Sequence, residues 1–578
     1  MSAVLDVTPR KQLSVLIVQL GEIEEVFRSL MAVKAVKQLY PETKFQFVVR
    51  HSHDVPLRRL DWIDGIIEIP VIEANEDPLK KVAGWVNQVI DQSFDILCNW
   101  TYSKRHQRMS SILATLIPAA VKFGNHVRND FTEGGFDAWS IYREAWLRDQ
   151  TIDQDIHHTD IITTQLLTAL QVHSGDPTDD SSSSNVTSRY FFKTDNKVQF
   201  PKTASKWIAV HPDSLNARYE EVIEMILRRH PDHGVVVLNE TALGDDSGIP
   251  VDHPRVLNLS GKLDFDSLVT ALTGSAWLIA GRAPIVDLAN LLNVRILYWI
   301  EAHPRITGEA LGKWTETGPY GNGNIAVRFA EDFQPEVFYA IWSYAQSEWF
   351  HKGTMNLATH FENIGVTGLA ADIEVYKSRI RSAQEGGGVS FEPVIESDTT
   401  FENWMFRLRG QVARSWFCGW IPPMDSEVEK LKLNPALIKR SREIRESLHI
   451  IEQVCTEGKE VSKGLHQVAL QIRNPKIMPV EDREAIDSYG KKLIELEGLI
   501  SRVVQVEKEL RCFLVWYQQL MHNLNGETLD QMANETYQAF DLLSDGIVLV
   551  GAYVERVLQK AKPKAITLSE NVSPLEEK

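Results

Sequence analysis

The sequence predicts two α/β domains of nucleotide-binding type followed by an all-helical domain. Short apolar strands alternate with helices from residue 14 to about residue 300, a pattern that implies right-handed βαβ units on parallel sheets. One polar, serine-rich stretch at 174–186 interrupts the alternation, which then resumes. From Phe401 to about Lys562 strand signals almost vanish and helical periodicity dominates. The expected organisation is 1–173 and 191–350 as the two α/β domains with a linker at 174–190, a connecting segment at 351–399, a helical bundle or coiled coil at 400–562, and a disordered tail at 563–578.

The first lobe opens with Ser14-Val-Leu-Ile-Val-Gln-Leu20, whose continuous apolar run suits a strand buried on both faces. Gly21 follows, and a helical pattern runs from Glu24 to Tyr40 until Pro41 ends it. Strands are expected at Phe45–Val49, Gly65–Ile69, Phe94–Cys98 and Ala120–Gly124, with helices at 79–91 and 106–116. Residues 133–172 read as helical, anchored by Trp139, Tyr142 and Trp146.

The second lobe repeats this grammar. Strands are expected at Trp207–Val210, Gly234–Leu238, Ala276–Ala280 and Val294–Tyr298, with a short one from Val256. Helices are expected at Glu220–Arg229, at Asp264–Thr273 with Asp264 as the cap, and at Pro284–Leu292 with proline at the first helical position. Two such lobes place a ligand cleft between the carboxyl ends of their sheets. Ser382–Pro393, with Gly386-Gly-Gly388, reads as a flexible connection. Helices are then expected at 437–457, 459–473, 481–521 and 527–561. Leu493, Leu496, Ile500, Val503, Leu510 and Leu514 form one apolar stripe.

The chain has 578 residues and a formal charge of −17, so its surface repels phosphate backbones and nucleic acid is not expected as the main partner. No apolar run is long enough to span a bilayer, and Met1–Lys11 lacks a signal-peptide core, which predicts a cytoplasmic protein. Cys98, Cys418, Cys455 and Cys512 are scattered, as expected of buried thiols in a reducing compartment. Asn185-Val-Thr187 matches a glycosylation sequon that a cytoplasmic chain would not use. The sequence shows no His/Cys/Asp cluster at metal-ligand spacing and no Walker loop.

Four segments, in order, carry a family resemblance. They are Val15-Leu-Ile-Val-Gln-Leu-Gly-Glu-Ile-Glu-Glu-Val26 with Lys34–Pro41; Phe94-Asp-Ile-Leu-Cys-Asn-Trp100 with Ser110–Ala114 and Lys122–Gly124; Ile208-Ala-Val-His-Pro212; and Asn258-Leu-Ser-Gly-Lys262 with Phe265–Leu268 and Ala276–Gly281. Together they resemble glycosyltransferase family 9, the ADP-heptose–lipopolysaccharide heptosyltransferases. The resemblance covers roughly residues 1–345 and leaves the helical region outside it. It implies the glycosyltransferase-B (GT-B) fold, an amino lobe that holds the acceptor and a carboxyl lobe that holds the nucleotide-sugar donor. It also implies an inverting, metal-independent transferase of lipopolysaccharide biosynthesis that needs no cofactor. The donor would be a nucleotide-diphosphate sugar, ADP-linked in the family, and the acceptor a glycan or a protein.

The family places an aspartate after the first strand as catalytic base, and Glu25 holds that position here. A glutamate performs the same proton transfer with an arm longer by one methylene. Glu22, Glu24 and Glu25 equally read as an acidic first turn favoured by the helix dipole. Where the family carries a phosphate-binding lysine this chain has Ala217, and Arg218 is the nearest cation; it reads either as a phosphate clamp or as a surface arginine. After the strand ending at Gly281 the chain departs most: Arg282, Pro284 and Asp287 replace the family's Asp, Gly and His. Arg282 suits a diphosphate, whereas Asp287 would repel one. Glu240 is placed to meet a ribose hydroxyl, Lys262 to approach the donor, and His211 reads as structural.

Two functions of different class follow. One is an active sugar transferase with Glu25 as base and Arg218, Lys262 and Arg282 on the diphosphate. The other is a catalytically degenerate scaffold that kept the fold and binds a protein partner, or itself, through the helical domain. Trp404, Trp416, Trp420, Trp516 and Tyr517 are the aromatic anchors of that domain, and Trp416–Trp420 are candidates to dock it on the lobes.

Overall fold

A computed structural model of the protein describes residues 12–69, 78–102, 104–127, 133–135, 137, 139–143, 156–174, 192–194, 198–212, 218–243, 248–300, 317–329, 334–347, 360–361, 373–381, 388–394, 401–418, 428–429, 431, 433–472, 479–524, 526 and 528–561. The linker 174–186 (beyond Ser174), the sequon at Asn185, Gly386 and the tail 563–578 lie outside these residues, as do the side chains of Trp404, Trp416 and Trp420. The described residues fall into two compact units. One is drawn from 1–397, 409–420 and 518–523, the other from 398–408, 421–517 and 524–578.

The first unit contains both α/β lobes. In the first, β1 (Ser14–Gln19), β2 (Lys44–Arg50), β3 (Gly65–Ile69), β4 (Phe94–Asn99) and β5 (Ala119–Val127) are parallel, and β6 (Glu133–Gly135) pairs antiparallel with β5. The strand order is β3-β2-β1-β4-β5-β6. Its helices are α1 (Ile23–Leu39), α2 (Asp54–Arg58), α3 (Pro78–Ile90), α4 (Lys104–Leu116) and α5 (His158–Ser174). Val15 aligns with Phe45 on one side and Ile96 on the other, and β1 is buried along its length beyond Ser14, as its apolar run requires. The expected helix over 133–172 is corrected in part: Glu133–Gly135 is an edge strand, while residues 139–143 and His158–Ser174 are helical among the described residues. Glycines at 134 and 135 disfavour a helix, and the free edge of β5 offers them backbone partners.

The second lobe carries β7 (Lys206–His211), β8 (His233–Val237), β9 (Val256–Asn258), β10 (Trp277–Ala280), β11 (Arg295–Ile300), β12 (Ile325–Phe329), β13 (Ile373–Ile380) and β14 (Val389–Pro393). Their order is β14-β13-β12-β11-β10-β7-β8-β9, with the last two additions antiparallel. The helices are α6 (Tyr219–Arg229), α7 (Phe265–Thr273), α8 (Pro284–Leu291) and α9 (Pro335–Gln346). Asp264 caps α7 as expected, accepting from Ser267 N at 2.7 Å. The flexible connection expected at 382–393 is corrected, because Val389–Pro393 pairs with β13 and extends the sheet. Asp160, on α5, fixes this edge: its carboxylate accepts from Val389 N at 3.1 Å, Tyr320 Oη at 3.1 Å and Arg414 at 3.3 Å.

Each sheet reverses its strand order at a switch point, between β1 and β4 in the first lobe and between β7 and β10 in the second. Two Rossmann-like domains in tandem, with an all-helical domain after them, make the GT-B-type architecture. The lobes share one continuous apolar core through α1 and α8, which is why nearly every residue from Val26 to Val36 is buried, polar ones included. Phe27 stacks on Phe265 with ring centroids 6.4 Å apart.

The second unit is helical. α10 (Phe401–Cys418) precedes α11 (Pro435–Gln471), α12 (Val480–Val506), α13 (Arg511–His522) and α14 (Leu529–Ala561), although residues 409–418 of α10 and 518–522 of α13 belong to the first unit. One helix spans the two expected at 437–457 and 459–473, and a break at Glu507–Leu510 divides the one expected at 481–521. Buried positions on α11 recur at Leu437, Ser441, Ile444, Leu448, Ile451, Cys455, Gly458, Ser462, Leu465 and Ala469, the alternating three-four spacing of a coiled-coil seam. α14 answers with Ala533, Thr536, Phe540, Leu543, Ile547, Val550, Val554 and Val557. Lys459–Asp541 and Arg445–Glu555 contacts show that α11 and α14 run antiparallel. Leu496, Ile500, Leu510 and Leu514 of the expected stripe are buried, and so are Trp516 and Tyr517. Cys98, Cys455 and Cys512 are buried free thiols. No described helix is long and apolar enough to cross a membrane.

Candidate functional site

The first switch point is occupied by Glu25. The chain leaves β1 at Gln19, whose amide donates to Trp100 O at 2.8 Å and to Ser29 Oγ at 3.0 Å, while its oxygen accepts from Gly21 N at 3.0 Å. This fastens the ends of β1 and β4 to the first turn of α1. The Glu25 carboxyl folds back over Gly21 so closely that a Cβ built there would lie 1.7 Å from Oε2. A side chain at position 21 would therefore displace the Glu25 carboxyl. Oε2 also accepts from Tyr102 N at 3.3 Å. Burial raises the Glu25 pKa above its ordinary value, only partly opposed by the charge of Arg143 and the Tyr102 amide.

The three acidic residues expected in one helix turn diverge. Glu22 reaches out to Arg50 at 2.9 Å, Glu25 turns inward, and Glu24 lies on the side facing Asp287. Behind Glu25 stands a group that sequence reasoning missed. The Arg143 guanidinium lies 3.0 Å from the Tyr102 ring centroid and 2.6 Å from His158 Nε2. His157 contacts Gly318 O at 3.3 Å, and burial pushes its pKa down to about 3. Burial likewise holds the His158 pKa well below its ordinary value. The adjacent His157-His158 pair before an apolar helix was the sequence signal available for them.

In the second lobe Arg282 follows β10 at the switch point and is exposed, with no ion pair among the described residues. Lys262 is likewise exposed, in the turn made by Gly261 at φ 70, where a Cβ would meet Ala242 N at 2.7 Å. Glu240 is exposed beyond β8 and acts electrostatically on His211. Arg218 sits just before α6 and pairs with Glu221 of the same helix at 3.0 Å, so it is engaged locally. Asp287 is 1% exposed and receives two hydrogen bonds from Arg28 of α1, at 2.8 and 3.1 Å. Its pKa is nevertheless pushed up to about 6, because burial outweighs the arginine's attraction. The structure thus joins Arg28 and Asp287 across the lobes, with Glu24 and Arg282 near enough to act on Asp287 electrostatically, and leaves Arg218 outside this group.

Two groups of side chains among the described residues bring possible ligand atoms together in space. His230, Asp232 and His233 bring ligand atoms within 4.8 Å of one another, as do His51, Asp54 and Glu68. In the first group the atoms are already engaged: His233 Nδ1 with Asp232 at 2.7 Å and His230 Nε2 with Tyr339 Oη at 2.8 Å.

No protein-family model and no curated protein matches the chain. Among solved structures it is similar to a glycosyl transferase of family 9 from Veillonella parvula DSM 2008, with 12% identity, a TM-score of 0.39 and coverage of 61% of this chain and 96% of that one. It is also similar to the E. coli heptosyltransferase WaaC with ADP, with 11% identity, a TM-score of 0.38 and coverage of 58% and 100%. A UDP-GlcNAc 2-epimerase from Neisseria meningitidis bound to UDP-GlcNAc is similar at 13% identity and a TM-score of 0.29, over 53% of this chain and 88% of that one.

Proposed function

We propose that the chain is a cytoplasmic glycosyltransferase that moves a sugar from a nucleotide-diphosphate donor to a glycan or protein hydroxyl. The observation that carries this reading is the Glu25 carboxyl, seated over Gly21 at the first lobe's switch point with a raised pKa. A carboxylate whose pKa is raised toward neutrality is a stronger general base than an ordinary one. It takes the acceptor hydroxyl's proton as the oxygen bonds to the anomeric carbon. The bond from that carbon to the diphosphate breaks, and its electron pair leaves with the nucleotide. Arg282 and Lys262, exposed on the second lobe, neutralise the leaving charge. The repulsion that Asp287 would exert on a diphosphate is removed by its pairing with Arg28.

A second reading, a scaffold without chemistry, is favoured by that same pair: it fastens α1 to the first turn of α8, where a diphosphate would meet the helix. Calorimetric titration with ADP, UDP and GDP, free and sugar-linked, separates the two. Binding of one nucleotide, weakened about 10-fold or more by Arg282→Ala through loss of a charge-assisted contact, is expected. No binding at millimolar concentration would leave the scaffold.

A further inference from the structure

A second concavity lies where the two lobes meet, away from the carboxyl ends of the sheets. It has a volume of about 370 Å³ and is lined by Met31, Lys34 and Gln38 of α1 and, from the second lobe, by residues that include Asn290, Asn293 and Asn324. Asn293 and Asn324 precede β11 and β12, at the opposite ends of these parallel strands from Arg282's edge. Lys34 is about 14 Å further along α1 than Glu25, at ~1.5 Å per residue. The cavity is therefore separate from the candidate transfer site.

Its chemistry is specific. Lys34 is 9% exposed, and its ammonium donates to Leu291 O at 2.9 Å. No carboxylate pairs with it among the described residues, and no Asp or Glu lines the cavity, although acidic residues outnumber basic ones in the chain, 78 to 61. One carbonyl can cap a helix end with a lysine, but it leaves a buried positive charge uncompensated. The lining also holds the side-chain amides of Gln38, Asn290, Asn293, Asn322 and Asn324 and the exposed Arg295. Asn290 is spent on Tyr320 N and Gly318 O, and the Asn322 and Asn324 oxygens accept from Ile380 N and Ile296 N, which leaves the amino groups of those two to donate. Asn293 is held at φ 57, a left-handed conformation that asparagine tolerates better than other side chains. Amide N–H groups donate to hydroxyl oxygens, and the ammonium calls for an anion.

We infer that this cavity binds a small sugar monophosphate, the phosphate on Lys34 and the hydroxyls among the amides. Because its walls come from both lobes, the bound ligand holds their relative orientation. The site needs no assumption about sugar transfer at Glu25.

The test is calorimetry on the full chain with glucose 6-phosphate and ribose 5-phosphate, and with glucose and inorganic phosphate as controls. At least one sugar phosphate is expected to bind at least tenfold more tightly than either control. Lys34→Met should weaken it at least tenfold. Asn322→Asp should do the same: Asn322 is exposed, and an aspartate keeps the acceptor that Ile380 N meets at 2.6 Å, so this variant folds even if removal of Lys34 does not. Equal binding of inorganic phosphate would overturn the sugar assignment. No binding at 10 mM (roughly the weakest affinity worth reading), or binding that both variants retain, would overturn the site.

Discussion

Gly21→Ala tests the placement of Glu25 directly. Gly21 has no positive φ, so alanine is conformationally allowed, and the effect is steric. The new Cβ would lie 1.7 Å from Glu25 Oε2, 2.5 Å from Cδ and 2.9 Å from Gln19 Oε1. Ordinary contact needs about 3.5 Å, so the carboxyl must retreat by roughly 1.5–2 Å. The far end of a glutamate moves at small cost, and overpacking of this kind lowers stability by about 1–3 kcal/mol. Catalysis is less forgiving: a displacement of ~1 Å can cost about 100-fold. The expected result is therefore a fall in kcat of about 100-fold or more, with nucleotide affinity on the second lobe unchanged. Shortening the arm in Gly21→Ala/Glu25→Asp draws the carboxyl back by about one methylene, roughly 1.3 Å, and should recover part of the loss. Steady-state transfer with the nucleotide sugar found by titration gives kcat, and urea unfolding gives the stability. Full kcat in Gly21→Ala, or no recovery in the double variant, would refute the argument that this carboxyl is placed by this glycine.

Other consequences follow from the buried charges. Glu25→Gln should cut transfer by about 10²–10⁴-fold yet stabilise the protein. A folded pKa above 4.5 means the ionised carboxyl costs stability, increasingly as pH rises from 4.5 through the folded value, and glutamine removes that cost; unchanged stability at pH 8 would contradict it. Asp287 has the same sign, its folded pKa of about 6 lying above 3.8, so wild-type stability should decline between about pH 4 and 6. Arg28→Met strands the carboxylate and should cost about 3–5 kcal/mol at pH 8 and less at pH 5, where Asp287 can protonate. Arg28→Met/Asp287→Leu should return to wild-type stability or above, and a double variant no better than Arg28→Met would show that the pair itself stabilises the lobe contact.

Periodicity and local chemistry made much of the fold legible in the sequence. The apolar runs at Val15–Val18 and Trp277–Ala280 have no choice but a doubly covered strand, and Asp264, Pro284 and Pro41 mark helix ends through their own backbone preferences. The three-four spacing of buried residues on α11 is likewise written in the chain. Glu25 and Arg282 were singled out because the family resemblance aligned them with positions just after two strands; that both strands lie at switch points came from the structure.

What the sequence left undecided depends on partners far away along the chain. The counter-charge of Asp287 is Arg28, 259 residues distant, because α1 packs on α8. Lys34 and Arg28 sit on a helix that looks like an ordinary surface helix until both its faces are covered. The strands at 373–380 and 389–393 gain their stability from the open edge of β12 and, through Val389, from the Asp160 carboxylate, neither of which local propensity records. Sequence determines which segments can form elements; tertiary packing decides which charges lose their water, here Glu25, Lys34 and Asp287.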